Sequence, residues 1–282
     1  MPFAITGATG QFGALVVTRL LERVPASEVV AVARDAAKAA PYAEHGIPVR
    51  LADYDDPVAL TAAFAGVDRL VFVSGSDVGQ RVRQHRNVVE AAQAAGVGFV
   101  AYTSVLHADR SPLLVAPEHA ATEAMLAASG IAHTLLRNGW YHDNYASALA
   151  AARSTGLLLT SAGTGRVASA SRADLAEAAA TIITTESPEP VYELSGDAAW
   201  TQEELAETLG AIVGRPVQVW HVDAEQHATE LRAQGLDEAT ISFLVATDAH
   251  IAAGALADTP GTLSRVLGRA STPLIDTLRA LA

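Results

Sequence analysis

Phe3-Ala4-Ile5-Thr6, then Gly7-Ala8-Thr9-Gly10-Gln11-Phe12-Gly13, then Ala14-Leu15-Val16-Val17 on to Leu20-Leu21 is the stretch that decides the fold. A short apolar run of strand type enters a turn with a glycine at every third position, and apolar residues then recur at helical intervals. Glycine at 7 permits a sharp strand-to-helix turn. Glycine at 10 lets backbone N–H groups approach a pyrophosphate, and glycine at 13 lets the helix pack closely on the strand. The helix N-terminus adds partial positive charge for phosphates. Glycines so spaced also occur in plain turns. The strand before and the amphipathic helix after make this string read as a dinucleotide-binding entrance, with Gly7, Thr9, Gly10, Gln11 and Phe12 as the contacts.

The same alternation continues outward. Strand patterns lie at 3–6, 28–33, 48–51, 67–73, 98–103 and 132–137, and helical patterns at 11–24, 57–65, 79–95 and 117–129. Repeated βαβ units predict a parallel sheet with helices on both faces, a Rossmann-type doubly wound α/β fold. After Trp140-Tyr141 the chain becomes helix-rich: 143–153, 172–185, 201–213, 224–234, 237–252 and two short helices near the end, with strands at 157–159, 191–194 and 217–221. This predicts a nucleotide-binding domain over 1–152, to which 172–196 returns. A smaller helix-rich C-terminal lobe over 153–282 covers the substrate side at the carboxyl ends of the strands.

Composition narrows the function. The chain has 282 residues, half of them hydrophobic, enough for a full core. No apolar run approaches the ~18 residues of a membrane span, and a functional strand so near Met1 leaves no room for a leader, so a cytoplasmic protein with no membrane partner is expected. Cysteine is absent, which excludes disulfides, thiolate nucleophiles and thiol-ligated metal. Redox chemistry must then come from a bound cofactor. The formal net charge of −12 disfavours nucleic acid as a partner. No His-x-x-x-His with a carboxylate supports a metal site, and neither a Gly-x-Ser-x-Gly elbow nor a Gly-Lys-Ser/Thr loop is present.

Among the basic residues Lys38 is the only lysine, and this decides two questions. The second strand ends in Arg34, where an NAD-preferring enzyme carries Asp or Glu against the ribose 2′-OH. Arg34 and Lys38, one helical turn apart, can converge on a 2′-phosphate; the alternative is a solvated pair of surface charges. NADPH is the expected cofactor, with NADH use left open by Asp35, which can reach the ribose hydroxyls. Asp53 either contacts the adenine or belongs with Asp55 and Asp56 to the cap of the helix at Pro57. Ser74 and Gly75, past the fourth strand, are further cofactor candidates. With one lysine at 38, no Tyr-x-x-x-Lys pair exists to protonate an alkoxide. Ser104 falls where the serine accompanying that pair would sit. His119 falls near the place of the missing lysine, as a ribose ligand and proton donor titrating near neutrality or as a plain surface histidine. Arg137-Asn138-Gly139-Trp140-Tyr141-His142-Asp143-Asn144 groups polar and aromatic side chains at the end of the sixth strand, as a nicotinamide and substrate pocket does. Asn138 and Tyr141 are candidates for the chemistry, and Trp140, Tyr141 and Asn144 for the acceptor. Packing of Trp140 and helix capping by Asp143 or Asn144 account for part of the pattern. Ile241, Phe243-Leu244-Val245 and His250 offer an apolar far wall with Phe243 at its centre, unless that helix face is core.

Five strings carry a family likeness: Ala4-Ile5-Thr6-Gly7-Ala8-Thr9-Gly10-Gln11, Val32-Ala33-Arg34, Gln84-His85-Arg86-Asn87-Val88, Ala101-Tyr102-Thr103-Ser104 and Leu135-Leu136-Arg137-Asn138-Gly139-Trp140-Tyr141. With Ser169-Ala170-Ser171-Arg172-Ala173-Asp174 and the stretch from Tyr192 to Trp200, the chain resembles the NmrA-like atypical short-chain dehydrogenase/reductases over nearly its whole length. Within them it is similar to the bacterial type 2 NAD(P)H:quinone oxidoreductases, with triphenylmethane dye reductases as cousins. The resemblance implies an NADPH-dependent reductase that passes hydride to quinones or similar conjugated, electron-poor aromatics. The chemistry agrees. Hydride transfer to a ketone makes a strongly basic alkoxide, whereas a hydroquinone anion is phenol-like, with a basicity near that of tyrosinate at about 10. A site without a Tyr/Lys pair can then act by holding acceptor and cofactor together. The resemblance also leaves open a non-enzymatic NADP(H)-binding redox sensor, a pathway-specific ketoreductase, and a homodimer.

Overall fold

The computed structural model describes residues 1–282 and divides into two compact units. In chain order the elements are β1 (Phe3–Ile5), α1 (Gln11–Leu21), β2 (Val29–Ala33), α2 (Ala36–Glu44), β3 (Val49–Leu51), α3 (Pro57–Ala63), β4 (Arg69–Phe72), α4 (Arg81–Ala94), β5 (Phe99–Val105), α5 (Ala116–Ser129), β6 (Ala132–Asn138), α6 (Ala146–Thr155), β7 (Leu157–Thr160), α7 (Arg172–Thr184), β8 (Val191–Leu194), α8 (Gln202–Val213), β9 (Gln218–His221), α9 (Ala224–Ala233), α10 (Glu238–Ala252), α11 (Thr262–Leu267) and α12 (Leu274–Ala280).

The first unit comprises Met1–Asp109, Val115–Asn138 and Ala173–Leu194. Its sheet has seven strands in the order β3-β2-β1-β4-β5-β6-β8, every neighbouring pair parallel. The Val/Ala/Ile/Leu runs of β1 and β2 are buried at every position, as in a sheet covered on both faces. Leu60, Phe64, Phe72, Tyr102 and Leu126 pack in one cluster on this sheet. Chain order reverses at β1, with β2 on one side and β4 on the other, which makes the carboxyl ends of β1, β2 and β4 the topological switch point where ligands of open α/β sheets bind.

Two local features bear on that switch point. Helix α2, which is not among the helical patterns read in the sequence, forms over nine residues with Pro41 inside it. Asp35 starts it by accepting at Oδ1 from the N–H groups of Ala37 (2.9 Å) and Lys38 (3.2 Å). From α2 the Tyr42 hydroxyl donates to Ala8 O at 2.6 Å and so ties the glycine turn to the helix that carries Lys38. Helix α3 starts with Asp56 as N-cap and Pro57 as its first residue, so the cap role once shared among three aspartates belongs to Asp56.

The second unit comprises Arg110–Leu114, Gly139–Arg172 and Ser195–Ala282, and holds the two-stranded parallel sheet β7-β9 with helices α6 and α8–α12. The boundary expected at 152 falls instead at Asn138, because 139–152 packs with later elements of its own unit. Tyr141 bridges to Ala170, and Asp143 accepts from the Arg172 guanidinium at 3.0 Å. The motif strings here are structural: Val167 pairs with Trp200, whose Nε1 donates to Ser169 Oγ at 3.0 Å. Gly196 lies so close that a Cβ there would sit 2.0 Å from Ser169 O. No helix is long and apolar enough to cross a membrane.

Candidate functional site

At the switch point of the first unit lies a cleft of about 620 Å³, lined by the glycine turn (Gly7, Thr9, Gly10, Gln11, Phe12, Gly13), the end of β2 (Ala33, Arg34, Asp35, Lys38), the loop after β3 (Ala52, Asp53, Tyr54), the stretch after β4 (Val73 to Asp77) and Gln84. Ten expected cofactor residues therefore line one cavity: Gly7, Thr9, Gly10, Gln11, Phe12, Arg34, Lys38, Asp53, Ser74 and Gly75.

The glycines act in three ways. Gly7 has φ +59°, a backbone state that side chains disfavour, and its carbonyl accepts from Gly10 N–H at 2.9 Å. The Gly10 N–H is thus spent inside the turn, so the backbone donors that can approach a phosphate are those of the first turn of α1 beyond it. Gly13 is required by contact with the turn itself: a Cβ would sit 2.2 Å from Gly7 O. With Gly10, Gln11 and Phe12 lining the cleft, the N-terminus of α1 fits a diphosphate.

Charge at the β2 end favours a phosphate. Arg34 and Lys38 are exposed, and neither forms an ion pair or a side-chain hydrogen bond within the protein. Asp35, which left NADH use open because it can reach the ribose hydroxyls, has its Oδ1 engaged in capping α2. Asp53 Oδ1 accepts from Asp55 N–H at 2.9 Å, which shapes its loop while Asp53 lines the cleft.

Across β1 from Arg34, the wall after β4 is built from side chains that sequence reasoning did not assign. Val73 N–H donates to Thr6 Oγ1 (3.0 Å), Ser74 N–H to Thr103 Oγ1 (2.8 Å) and Gly75 N–H to His85 Nε2 (2.9 Å). The Tyr54 hydroxyl lies 2.5 Å from Val73 O and 2.6 Å from Thr6 Oγ1, and burial pushes its pKa above the ordinary phenol value. Arg81 Nε donates to Gly75 O at 2.6 Å, and its guanidinium lies 3.4 Å from Glu118, which also accepts from Gly79 N–H. The helical spacing of His85 with Val88, Val89 and Ala92 was the available signal that it faces inward.

Ser104 lies on β5 and His119 on α5, as expected, but neither is among the residues that line the cleft. Ser104 Oγ is buried and donates to Glu123, which is held by the Arg137 guanidinium at 2.7 and 2.9 Å. Arg137 also reaches Asp109 and Glu193, so this arginine of the supposed pocket segment is committed to three carboxylates. These bonds hold its pKa above the ordinary value, with Glu123 the largest cause. His119 is only 5% exposed, not a surface residue, and its Nδ1 lies 2.8 Å from the Tyr102 hydroxyl. Burial, assisted by Arg81, lowers its pKa from 6.5 to about 3. The expected titration near neutrality is thereby overturned: His119 is neutral at working pH because desolvation disfavours its charged form. Asn138 ends β6 buried, with its carbonyl accepting from Leu106 N–H. In the second unit, Trp140 stacks on Phe243 with ring centroids 6.4 Å apart, the Arg172 guanidinium lies 4.9 Å over the Tyr141 ring, and Asn144 is exposed.

Depressed histidines make stability pH-dependent. His85, lowered to about 3 mainly by burial, behaves like His119. Between about 3 and 6.5 the unfolded chain binds protons at these positions and the folded chain does not, so stability falls as pH falls through that window. Each histidine contributes up to ~1.4 kcal/mol per pH unit to the slope. Denaturant unfolding from pH 7 to 4 should show a slope shallower by about one proton in His119→Gln than in the wild type; equal slopes would contradict the neutral, buried state.

A family model described as NAD(P)H-binding matches residues 7–186. An NmrA-like family domain-containing oxidoreductase of Aspergillus flavus is 31% identical over 292 aligned residues, covering 100% of this chain and 95% of the relative. The chain belongs to the NmrA-like NAD(P)H-binding family. Quinone oxidoreductase 2 of Escherichia coli K12 is 48% identical to this NmrA-like chain, over 99% of it and 98% of the relative. The crystal structure of the E. coli NADPH-dependent quinone oxidoreductase complexed with NADPH has a TM-score of 0.95, with 99% of each chain covered. Citrobacter sp. triphenylmethane reductase complexed with NADP(H) is 38% identical, with a TM-score of 0.95 over 99% of this chain and 100% of the other.

Proposed function

We propose that this NmrA-like chain is an NADPH-dependent reductase acting on quinones or similar conjugated, electron-poor aromatics, and that it works in the cytoplasm. The observation that carries the reading is the cleft, where a diphosphate cradle adjoins two unpaired cations while the nearby carboxylate, Asp35, is occupied as a cap. The E. coli relative named for NADPH and quinone supports the same cofactor and acceptor. Arg34 and Lys38 would hold the 2′-phosphate, and the α1 N-terminus the diphosphate. Bound there, NADPH supplies the hydride. The protein's part is to orient and desolvate, because none of the buried groups His119, Tyr54 and Tyr102 is a ready acid for the product: His119 stays neutral, and burial raises the two phenols. A delocalised hydroquinone anion tolerates that lack, a ketone-derived alkoxide does not.

Mixing the protein with NADPH and a benzoquinone and following absorbance of the reduced nicotinamide tests this; oxidation no faster than without protein, across a panel of quinones and dyes, would refute it. That same result, with NADPH and NADP⁺ bound at different affinity, would favour the redox-sensor reading that the missing acid also fits.

For the acceptor, the aromatic pair Trp140 and Phe243 supplies a flat apolar contact, with Tyr141 and Asn144 beside Trp140 in sequence. Phe243 is half-buried, so a contact surface remains on it. Phe243→Ala should raise KM for bulky acceptors severalfold and leave NADPH affinity unchanged, since only acceptor binding is lost. A lower melting temperature with unaltered kinetics would instead identify Phe243 as a core residue.

A further inference from the structure

The backbone of Gly75 is gripped on both sides of its Cα by one helix. His85 Nε2 accepts its N–H at 2.9 Å and Arg81 Nε donates to its carbonyl at 2.6 Å, from positions one turn apart on α4. His85 is fully buried and Arg81 nearly so. The bonding chain also settles the state of the ring. A backbone N–H can only donate, so Nε2 is the acceptor and the neutral imidazole carries its proton on Nδ1. That proton goes to Thr122 Oγ1 at 2.8 Å, and Thr122 in turn donates to Glu118 O at 2.9 Å. Every polar atom of the ring is used. The depressed pKa of about 3 keeps Nε2 an acceptor throughout working pH.

Gly75 lies in the cleft wall after β4, on the opposite side of β1 from Arg34 and Lys38. If the 2′-phosphate sits at Arg34, a dinucleotide laid across the switch point places its nicotinamide half toward the β4 side. We infer that His85 is a positioning residue for that half: it holds the Gly75 peptide, and so the wall against which the reacting end of the cofactor is aligned. This rests on the NADPH-reductase reading. His85 does not touch the reacting atoms; it acts through Gly75. The wall is otherwise weakly self-supporting, because the N–H groups of Val73, Ser74 and Gly75 all bond to side chains and none of the three to another backbone group.

The test uses the full chain with three substitutions. His85→Phe keeps a ring and removes the acceptor, His85→Gln restores an acceptor oxygen near Nε2, and Arg81→Met releases the other side of Gly75. For each, affinity is measured for NADPH and for 2′-phospho-ADP-ribose, which lacks the nicotinamide, together with kcat for benzoquinone reduction and the melting temperature. The expected pattern for His85→Phe is a kcat about ten- to a hundredfold lower, with affinity for the fragment kept. NADPH affinity should fall by more than that of the fragment, and His85→Gln should recover most of both losses. Equal losses of NADPH and fragment affinity would overturn the inference, since His85 would then merely support the whole cleft. So would unchanged kcat in a folded His85→Phe, or a folded His85→Gln that recovers nothing. Should His85→Phe fail to fold, Arg81→Met decides by the same comparison of cofactor with fragment. Absence of turnover in the wild type would sink the reductase reading alone, because the NADPH-to-fragment affinity difference still reports on His85.

Discussion

Arg34→Ala should weaken NADPH binding by roughly 1.5–3 kcal/mol, about ten- to 150-fold in Kd, and leave NADH binding almost unchanged. The size follows from what the guanidinium does in the free protein. It is exposed at the carboxyl end of β2, without an ion-pair partner, so removing it breaks no internal bond and costs little stability. A charge-assisted, forked contact to a phosphate is lost with it. Lys38→Ala should show the same selectivity with a smaller effect, because an ammonium on a flexible stem meets phosphate as a point charge. Fluorescence titration with the two cofactors measures both. Equal losses for NADPH and NADH would assign Arg34 a structural role and remove the basis for NADPH preference.

Gly13→Ala carries the second large effect, and here two forces oppose each other. Alanine is the better helix former by about 1 kcal/mol, and residue 13 is the third residue of α1. Yet the added Cβ would sit 2.2 Å from Gly7 O and 2.8 Å from Gly7 C, both backbone atoms of a turn already held by Tyr42 and by Gly10 N–H. Neither side can yield without moving the helix or the turn. The clash wins. We expect a net loss of ~1–3 kcal/mol in stability and of most nucleotide affinity, seen as a lower melting temperature that NADPH no longer raises. Gly10→Ala is the graded control: its Cβ would meet Gly7 O at 3.2 Å, a contact that a shift of a few tenths of an ångström relieves. A Gly13→Ala variant as stable as the wild type and still protected by NADPH would show that the turn is softer than its packing implies.

The parts of the site that were legible in the chain share one property, that neighbours in sequence decide them. The glycine turn between a strand and a helix, the Arg34 that follows β2, Asp53 after β3 and Ser74-Gly75 after β4 all follow from counting along βαβ units, and all line the cleft. Ser104 was placed correctly on its strand, yet its hydroxyl points to Glu123, because Arg137 and Glu123 form a buried pair that no local pattern announces. His85 and His119 lie on helices at intervals that match apolar neighbours, so their burial left a trace in the sequence, although histidine is too mixed in character for the trace to stand out.

The sequence by itself determined the architecture, the nucleotide entrance, the charge that favours a phosphorylated ribose and the lack of a Tyr/Lys pair, since hydrophobic period, turn residues and residue inventory are properties of the chain. Only the tertiary structure decided that His119 and His85 are neutral, that Gly10 spends its N–H on Gly7, that Asp35 caps α2, and that the chain leaves the first unit at Asn138 and returns to it at Ala173. The physical reason is desolvation and pairing. A group's charge state and its free hydrogen-bonding capacity depend on what covers it in space. For His119 that cover brings together Tyr102 from β5 and Arg81 from α4, seventeen and thirty-eight residues away along the chain.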